Sequence, residues 1–164
     1  MLMMTLSRTL GVLLTAGALM LTAGPVLAAD LSSDEVDYLT ATMPLLARDS
    51  AALNDLNAIT GGISDQSIPY SLGVSMIPAV CSRFHQVKLD FDPIQVPARF
   101  TRLDSLLAGG FKSMTAACNG IAHGGRTYDL AEMNQAVVTM KNGDSYLRQA
   151  NQELLQFDFN PTAS

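Results

Sequence analysis

The sequence lacks the short motifs by which many enzymes are recognised. It contains no G-x-S-x-G elbow, no H-E-x-x-H zinc motif, no phosphate-binding loop and no dinucleotide fingerprint. It has only two histidines, and neither stands in a Glu-x-x-His pair of the kind that di-iron bundles use. We therefore expect a non-enzymatic protein that uses no cofactor.

Basic residues are also scarce. The 164 residues include ten Lys and Arg against fifteen Asp and Glu, so the formal net charge is −5 at pH 7. No basic cluster offsets this balance locally, and an acidic chain repels phosphate backbones and anionic lipid. The charges argue against nucleic acid as a partner. Membrane contact is expected only through the N-terminal segment, if that segment is retained.

Only one long apolar run occurs, and it lies near the N-terminus. Arg8 is the single charge before residues 10–21, and this run of about 12 residues is well short of the roughly 20 that span a bilayer. A Gly-Pro break follows, and Ala28 and Ala29 then offer small side chains for cleavage. Residues 1–29 are therefore predicted to be a cleavable export signal, with an uncleaved membrane anchor as the alternative.

The rest of the chain has the usual size of one domain. Residues 30–158 are predicted to form a single helical-bundle domain, followed by a flexible tail at 159–164. Removal of Arg8 with the signal takes the formal charge from −5 to −6. The predicted location is the periplasm or the extracellular space.

The clearest helix pattern runs from residue 129 to residue 157. Asp129 and Glu132 have the spacing of an N-terminal capping box, in which each side chain satisfies a free backbone N–H. Apolar residues then recur at intervals of three and four and form one seam along a long helix: Leu130, Met133, Val137, Met140, Leu147 and Leu154.

Three further segments show the same spacing. The first begins at a capping box of Ser32 and Glu35, and we expect Pro44 to kink it without ending it. Its end is predicted at the glycine pair 61–62. The second, residues 70–84, is the weakest because a glycine and a proline interrupt it, and the third starts at residue 97 and ends among the glycines at 120, 124 and 125.

Residues 88–96 show a different pattern. Apolar residues alternate with Asp90 and Asp92, and the prolines at 93 and 97 oppose a continuing helix. We expect an extended linker whose apolar side chains pack on the bundle or dock on a partner chain, namely Leu89, Phe91, Ile94 and Val96. The whole pattern predicts an all-α, up-down four-helix bundle with an extended linker between helices 2 and 3.

The two cysteines leave three alternatives open. Export favours a disulfide between Cys81 and Cys118. A hairpin that turns near Pro93 would separate them by roughly 20 Å along the helices, whereas a disulfide needs Cα atoms within about 7 Å. Two buried free thiols are the second alternative. The third is a metal site, in which Cys81 and His85 on one helical face join Cys118 and His123 in a Cys2His2 set.

Haem is a further possible cofactor, because exported four-helix bundles include proteins of the cytochrome c′ and b562 types. Covalent attachment needs a Cys-x-x-Cys-His run, which the sequence lacks. Neither histidine lies on the first or last helix, where the b562 type places its ligands. The expected function is binding of an unidentified protein or small ligand in the cell envelope. The alternative is a metal- or haem-binding bundle that uses Cys81 and His85.

Overall fold

The computed structural model describes residues 31–157, so the predicted export signal at 1–29 and the predicted tail at 159–164 lie outside the described residues. Within that range the chain forms four α-helices and no strand. The helices are α1 (Ser33–Ser64), α2 (Tyr70–Phe91), α3 (Thr101–Thr127) and α4 (Leu130–Leu154), and a single 3-10 turn, Ala98–Phe100, leads into α3. Each helix packs against the next, which confirms the all-α four-helix bundle.

Helix α1 begins as the sequence predicts. The Ser32 side chain accepts a hydrogen bond from the Glu35 N–H, and the Glu35 carboxylate accepts one from the Ser32 N–H. The helix continues through Pro44 and also through the glycine pair 61–62, where it was predicted to end. The end was misplaced because Ile63 is buried, and burying it against Gly73 of α2 keeps the last turn helical.

Helix α2 is longer than its sequence suggested, and the extended conformation predicted for residues 88–91 was wrong. Val87 and Phe91 are buried on one helical face. Lys88 pairs with Asp92 four residues on, and Gln86 donates to Asp90 over the same interval. These pairs support one more helical turn. The linker between α2 and α3 is therefore shorter than predicted, with a turn at residues 92–93 and a non-helical segment at 94–97.

Helices α3 and α4 form a close antiparallel hairpin. The glycines at 120, 124 and 125 lie inside α3 and do not end it. At Gly124 a Cβ atom would stand 2.9 Å from the Asp129 carbonyl oxygen, so glycine is needed there for the close approach of the chain entering α4. The helix ends at Tyr128, which takes a left-handed conformation with φ of 59°.

Helix α4 starts at the predicted cap. The Asp129 carboxylate accepts hydrogen bonds from the N–H groups of Ala131 and Glu132 at 2.9 and 3.0 Å. The reciprocal half of the capping box is not made, because the Glu132 carboxylate binds His123 instead. Most of the predicted seam is buried, comprising Met133, Val137, Met140, Leu147 and Leu154. None of the helices in the described part of the chain is long and apolar enough to cross a membrane.

A candidate binding cleft beside the linker

The structure joins Cys81 of α2 to Cys118 of α3 in a disulfide, with Cα atoms 5.3 Å apart. The separation of roughly 20 Å expected from the sequence was wrong because it assumed a turn near Pro93. The linker instead carries the chain beyond the end of α2 before α3 begins. The ring of Phe91, the last residue of α2, therefore packs edge-on against Phe111, well inside α3, at 5.2 Å between centroids. The same displacement brings Cys118 level with Cys81.

The four residues of the predicted metal set do not come together as ligands. The sulfurs of Cys81 and Cys118 are bonded to each other, and a metal ligand must be a thiolate. His123 Nδ1 lies 2.6 Å from the Glu132 carboxylate, and His85 is exposed on α2. Within residues 31–157, no group of three or more His, Cys, Asp or Glu side chains is placed to hold a metal ion. The two cysteines serve as a cross-link between helices.

The predicted docking surface is divided between helix and linker. Phe91 is only 4% exposed, because the extra turn of α2 directs its ring into the core, where it packs on the bundle and does not contribute to a surface. Leu89 is exposed on the same turn. Ile94 and Val96 do belong to the linker, and both line a cleft between the linker and α1.

This cleft exists because α1 and α2 differ in length, with 32 and 22 residues respectively. Arg48 and Asp90 form an ion pair at 2.6 Å, which places the last turn of α2 beside the middle of α1. About 15 residues of α1, or roughly 22 Å, therefore extend past the end of α2. The linker packs along this extension as a single non-helical segment. Because such a segment is thinner than a helix, a gap remains between the linker and α1.

The gap, called the linker cleft below, has a volume of about 510 Å³. Ligand pockets in proteins commonly have volumes of this order. One wall is α1 and the other is the linker, and the lining residues are Asp34, Asp37, Tyr38, Ala41, Ile94, Gln95, Val96 and Pro97.

The base of the cleft is anchored by Tyr38. Its hydroxyl donates a 3.1 Å hydrogen bond to the Asp104 carboxylate on α3, and its ring packs at 5.4 Å from that of Phe100. Burial, together with the charge of Asp104, raises the pKa of the Tyr38 hydroxyl far above its ordinary value. Burial also raises the pKa of Asp104. Tyr38 is therefore a neutral donor that fixes α1 to α3 beneath the cleft.

The wall formed by α1 is acidic. Asp34 and Asp37 stand three residues apart, both are exposed, and neither pairs with a basic side chain among residues 31–157. In contrast, Glu35 between them lies 3.7 Å from Arg99, and Asp55, farther along α1, forms an ion pair with Arg83. The cleft thus presents two uncompensated carboxylates beside apolar linker side chains.

Apart from the two carboxylates of the cleft, α1 also carries a carboxylate in the core, on Asp49. Asp49 is 2% exposed, and its Oδ1 has no hydrogen-bond partner among the described residues. Burial raises the pKa of this carboxyl to about 7. This buried carboxyl was not predicted from the sequence, although Asp49 occupies the position three residues after Leu46 and four before Leu53 at which the spacing of the α1 seam calls for an apolar residue. A polar residue at that position was the available signal.

Comparison with known proteins gives no relative to argue from. No family model matches this chain, and it has no match among curated proteins or solved structures. The features of this chain that bear on its function are therefore the disulfide, the linker cleft and the charges beside it.

Proposed function

We propose that this chain is an exported helical-bundle protein that works in the periplasm or outside the cell by binding a partner. The observation that carries the proposal is the disulfide between Cys81 and Cys118. Disulfides form and persist in oxidising compartments and are rare in the cytosol. The predicted export signal at residues 1–29 supports the same destination.

The disulfide has the features of a structural cross-link. Cys81 is 5% exposed and Cys118 is fully buried, so neither sulfur is open to attack by an external thiol. The bond spans 37 residues and ties α3 to α2, whose first turn has no side-chain cap because Pro69 precedes it. Helix α3 likewise has no side-chain cap at its start, so the cross-link ties together two uncapped helices.

Binding is favoured over catalysis by the chemistry of the linker cleft. Its walls combine apolar side chains with two exposed carboxylates, which suits recognition of a complementary surface. The buried Tyr38 hydroxyl lies at its base and is held as a neutral donor to Asp104. The two exposed carboxylates can therefore fix the position of a ligand, while Tyr38 holds α1 in place beneath them.

Export is tested by expressing the full chain in a bacterial host, separating the compartments and trapping free thiols with a large maleimide in denaturant, which exposes both buried cysteines. We expect oxidised protein in the periplasm or medium, with a new N-terminus after Ala28 or Ala29. The matched control is Leu14→Arg, which interrupts the apolar run and should keep the chain in the cytoplasm with both thiols reactive. Wild-type protein that stays reduced in the cytoplasm would overturn the proposal.

The same purified protein addresses the metal- or haem-binding alternative. We expect it to be colourless and to contain no stoichiometric metal by elemental analysis. A Soret band, or one metal ion per chain that is lost in a His85→Ala variant, would favour that alternative over binding through the cleft.

A further inference from the structure

We propose that the linker cleft binds an extended peptide segment of a partner protein, in which a Lys or Arg stands next to an apolar residue. The inference rests on the proposed binding function and names the chemistry of the partner. It depends on three features of the cleft, which are its charge, its apolar wall and the backbone of the linker.

Charge complementarity selects a cation. Asp34 and Asp37 are the charged lining residues of the cleft, and they lie on one side of the first two turns of α1. Neither has a basic partner within residues 31–157, so a ligand that brings a positive charge would not have to displace an existing ion pair. An anionic ligand would meet two like charges and is excluded.

The apolar wall selects a side chain next to that cation. Ile94, Val96 and Pro97 line the cleft from the linker, and Ala41 lines it from α1. Val96 is 41% exposed, so a large part of its surface is open to solvent and available for burial by a ligand. A simple amine would pair with the two carboxylates but would leave this apolar surface exposed to solvent.

The linker backbone selects an extended chain. Residues 94–97 are not helical, and Pro97 has extended dihedral angles. Gln95 and Val96 make no backbone hydrogen bond within the described part of the chain. These unpaired N–H and C=O groups can pair with the backbone of an extended peptide over one or two residues, because Pro97 has no N–H to continue the pairing. A peptide with alternating basic and apolar residues fits all three features, because alternate side chains of a strand point to opposite sides.

The test uses purified, oxidised protein and a blocked Val/Lys alternating pentapeptide that carries a fluorophore. Binding is followed by fluorescence anisotropy at low salt and in 0.5 M NaCl, a range over which exposed charge pairs are screened. We expect saturable binding that weakens at high salt. A peptide with Glu in place of Lys should not bind, and one with Ser in place of Val should bind more weakly.

Variants then locate the site. Asp34→Asn with Asp37→Asn should weaken binding about tenfold, as expected for the loss of two exposed charge pairs. The matched control, Asp55→Asn with Glu132→Gln, removes the same charge outside the cleft and should bind like the wild type. Val96→Ser should weaken binding by a smaller factor.

Three results would overturn the inference: no binding of the Val/Lys peptide, equal binding of the Val/Glu peptide, or an unchanged affinity in the Asp34/Asp37 variant. A dimer in light scattering that this variant dissociates would assign the cleft to a second copy of the chain instead. Because the titration needs only oxidised protein, a negative titration leaves the export result standing. Cytoplasmic, reduced protein in cells would overturn export without affecting the titration.

Discussion

The two helix pairs of this bundle are held together by different means. Helices α3 and α4 are joined by Tyr128 and Asp129 alone and stay in register along their length, from Gly124 against Met133 at one end to Arg102 near Glu153 at the other. Helices α1 and α2 differ in length. This second pair packs through buried side chains, such as Ile63 of α1 against Gly73 of α2, and carries exposed ion pairs, while the disulfide ties α2 to α3.

The comparison shows that matched and unmatched helices need different stabilisation. In the α3–α4 hairpin, small residues let the backbones approach closely, and Gly124 and Gly143 each lie near backbone atoms of the facing segment. In the α1–α2 pair the helix axes do not overlap fully, so the linker covers the excess length of α1 and creates the cleft. The proposed binding site is thus a consequence of the mismatch.

Removing the disulfide should have the largest effect and should act mainly on α2. The double variant Cys81→Ala/Cys118→Ala opens the loop that the disulfide closes between residues 37 apart in sequence. The unfolded chain then gains conformational entropy, which lowers the free energy of unfolding by about 4 kcal/mol. Urea denaturation measures the loss. Hydrogen exchange should show α2 amides losing protection before those of α4.

The outcome that contradicts this prediction is equal loss of protection in α2 and α4. Wild-type protein treated with a reductant under mildly denaturing conditions is the control, since it removes the bond without changing any side chain.

Asp49 should make stability depend on pH. Its folded pKa of about 7 lies above the ordinary value of 3.8, so the folded state favours the protonated acid. The contribution of Asp49 to the free energy of unfolding is therefore most favourable below pH 4, falls as pH rises from 4 to 7, and is constant above pH 7. Across that range the free energy of unfolding should fall by up to about 4 kcal/mol.

Asp49→Asn should flatten this dependence, as measured by urea midpoints from pH 4 to pH 8. The exposed Asp37→Asn serves as the comparison variant and should follow the wild-type curve. Parallel curves for Asp49→Asn and the wild type would show that the carboxyl titrates normally.

A pair of glycine variants tests close packing in the hairpin against helix propensity in α1. Gly124→Ala places a Cβ 2.9 Å from the Asp129 carbonyl oxygen and 3.2 Å from the Met133 nitrogen, and should cost about 1–3 kcal/mol. Gly61→Ala meets nothing within 4 Å and should stabilise by about 0.5–1 kcal/mol. Thermal unfolding of both variants should give midpoint shifts of opposite sign. Shifts of the same sign would refute the packing argument.

The smallest effect is expected for the ion pairs between α1 and α2. Arg83 and Asp55 pair on the surface, with about half of each side chain exposed. Asp55→Asn should change the free energy of unfolding by less than about 1 kcal/mol, and the change should vanish in 0.5 M NaCl. A larger, salt-independent loss would mean that these pairs carry more of the α1–α2 contact than we infer.

The features that were predictable from sequence are the local ones. The caps at Ser32 and Asp129 follow from side chains that bond backbone groups within three residues, and the seam of α4 follows from spacing alone. The four-helix bundle follows from four such segments. Asp49 could also have been found, because its place in the α1 seam is fixed by the same spacing.

The features that escaped prediction depend on distant partners. Gly124 was expected to end a helix, but its small size serves the approach to Asp129, which the glycine alone does not reveal. Phe91 was expected in an extended linker, but it ends a helix because its ring packs against that of Phe111 in the core. The Cys81–Cys118 distance depends on how far the linker displaces α3, and no local pattern encodes that displacement.

The short connection between α3 and α4 has a consequence for synthesis. Because the hairpin closes through two residues, its contacts have low sequence separation and can form as soon as both helices have left the ribosome or a translocation channel. Those helices emerge after α1 and α2, however. Helices α1 and α2, with their apolar faces and an unpaired Cys81, must wait exposed until Cys118 arrives, and that interval is when the nascent chain most needs a chaperone.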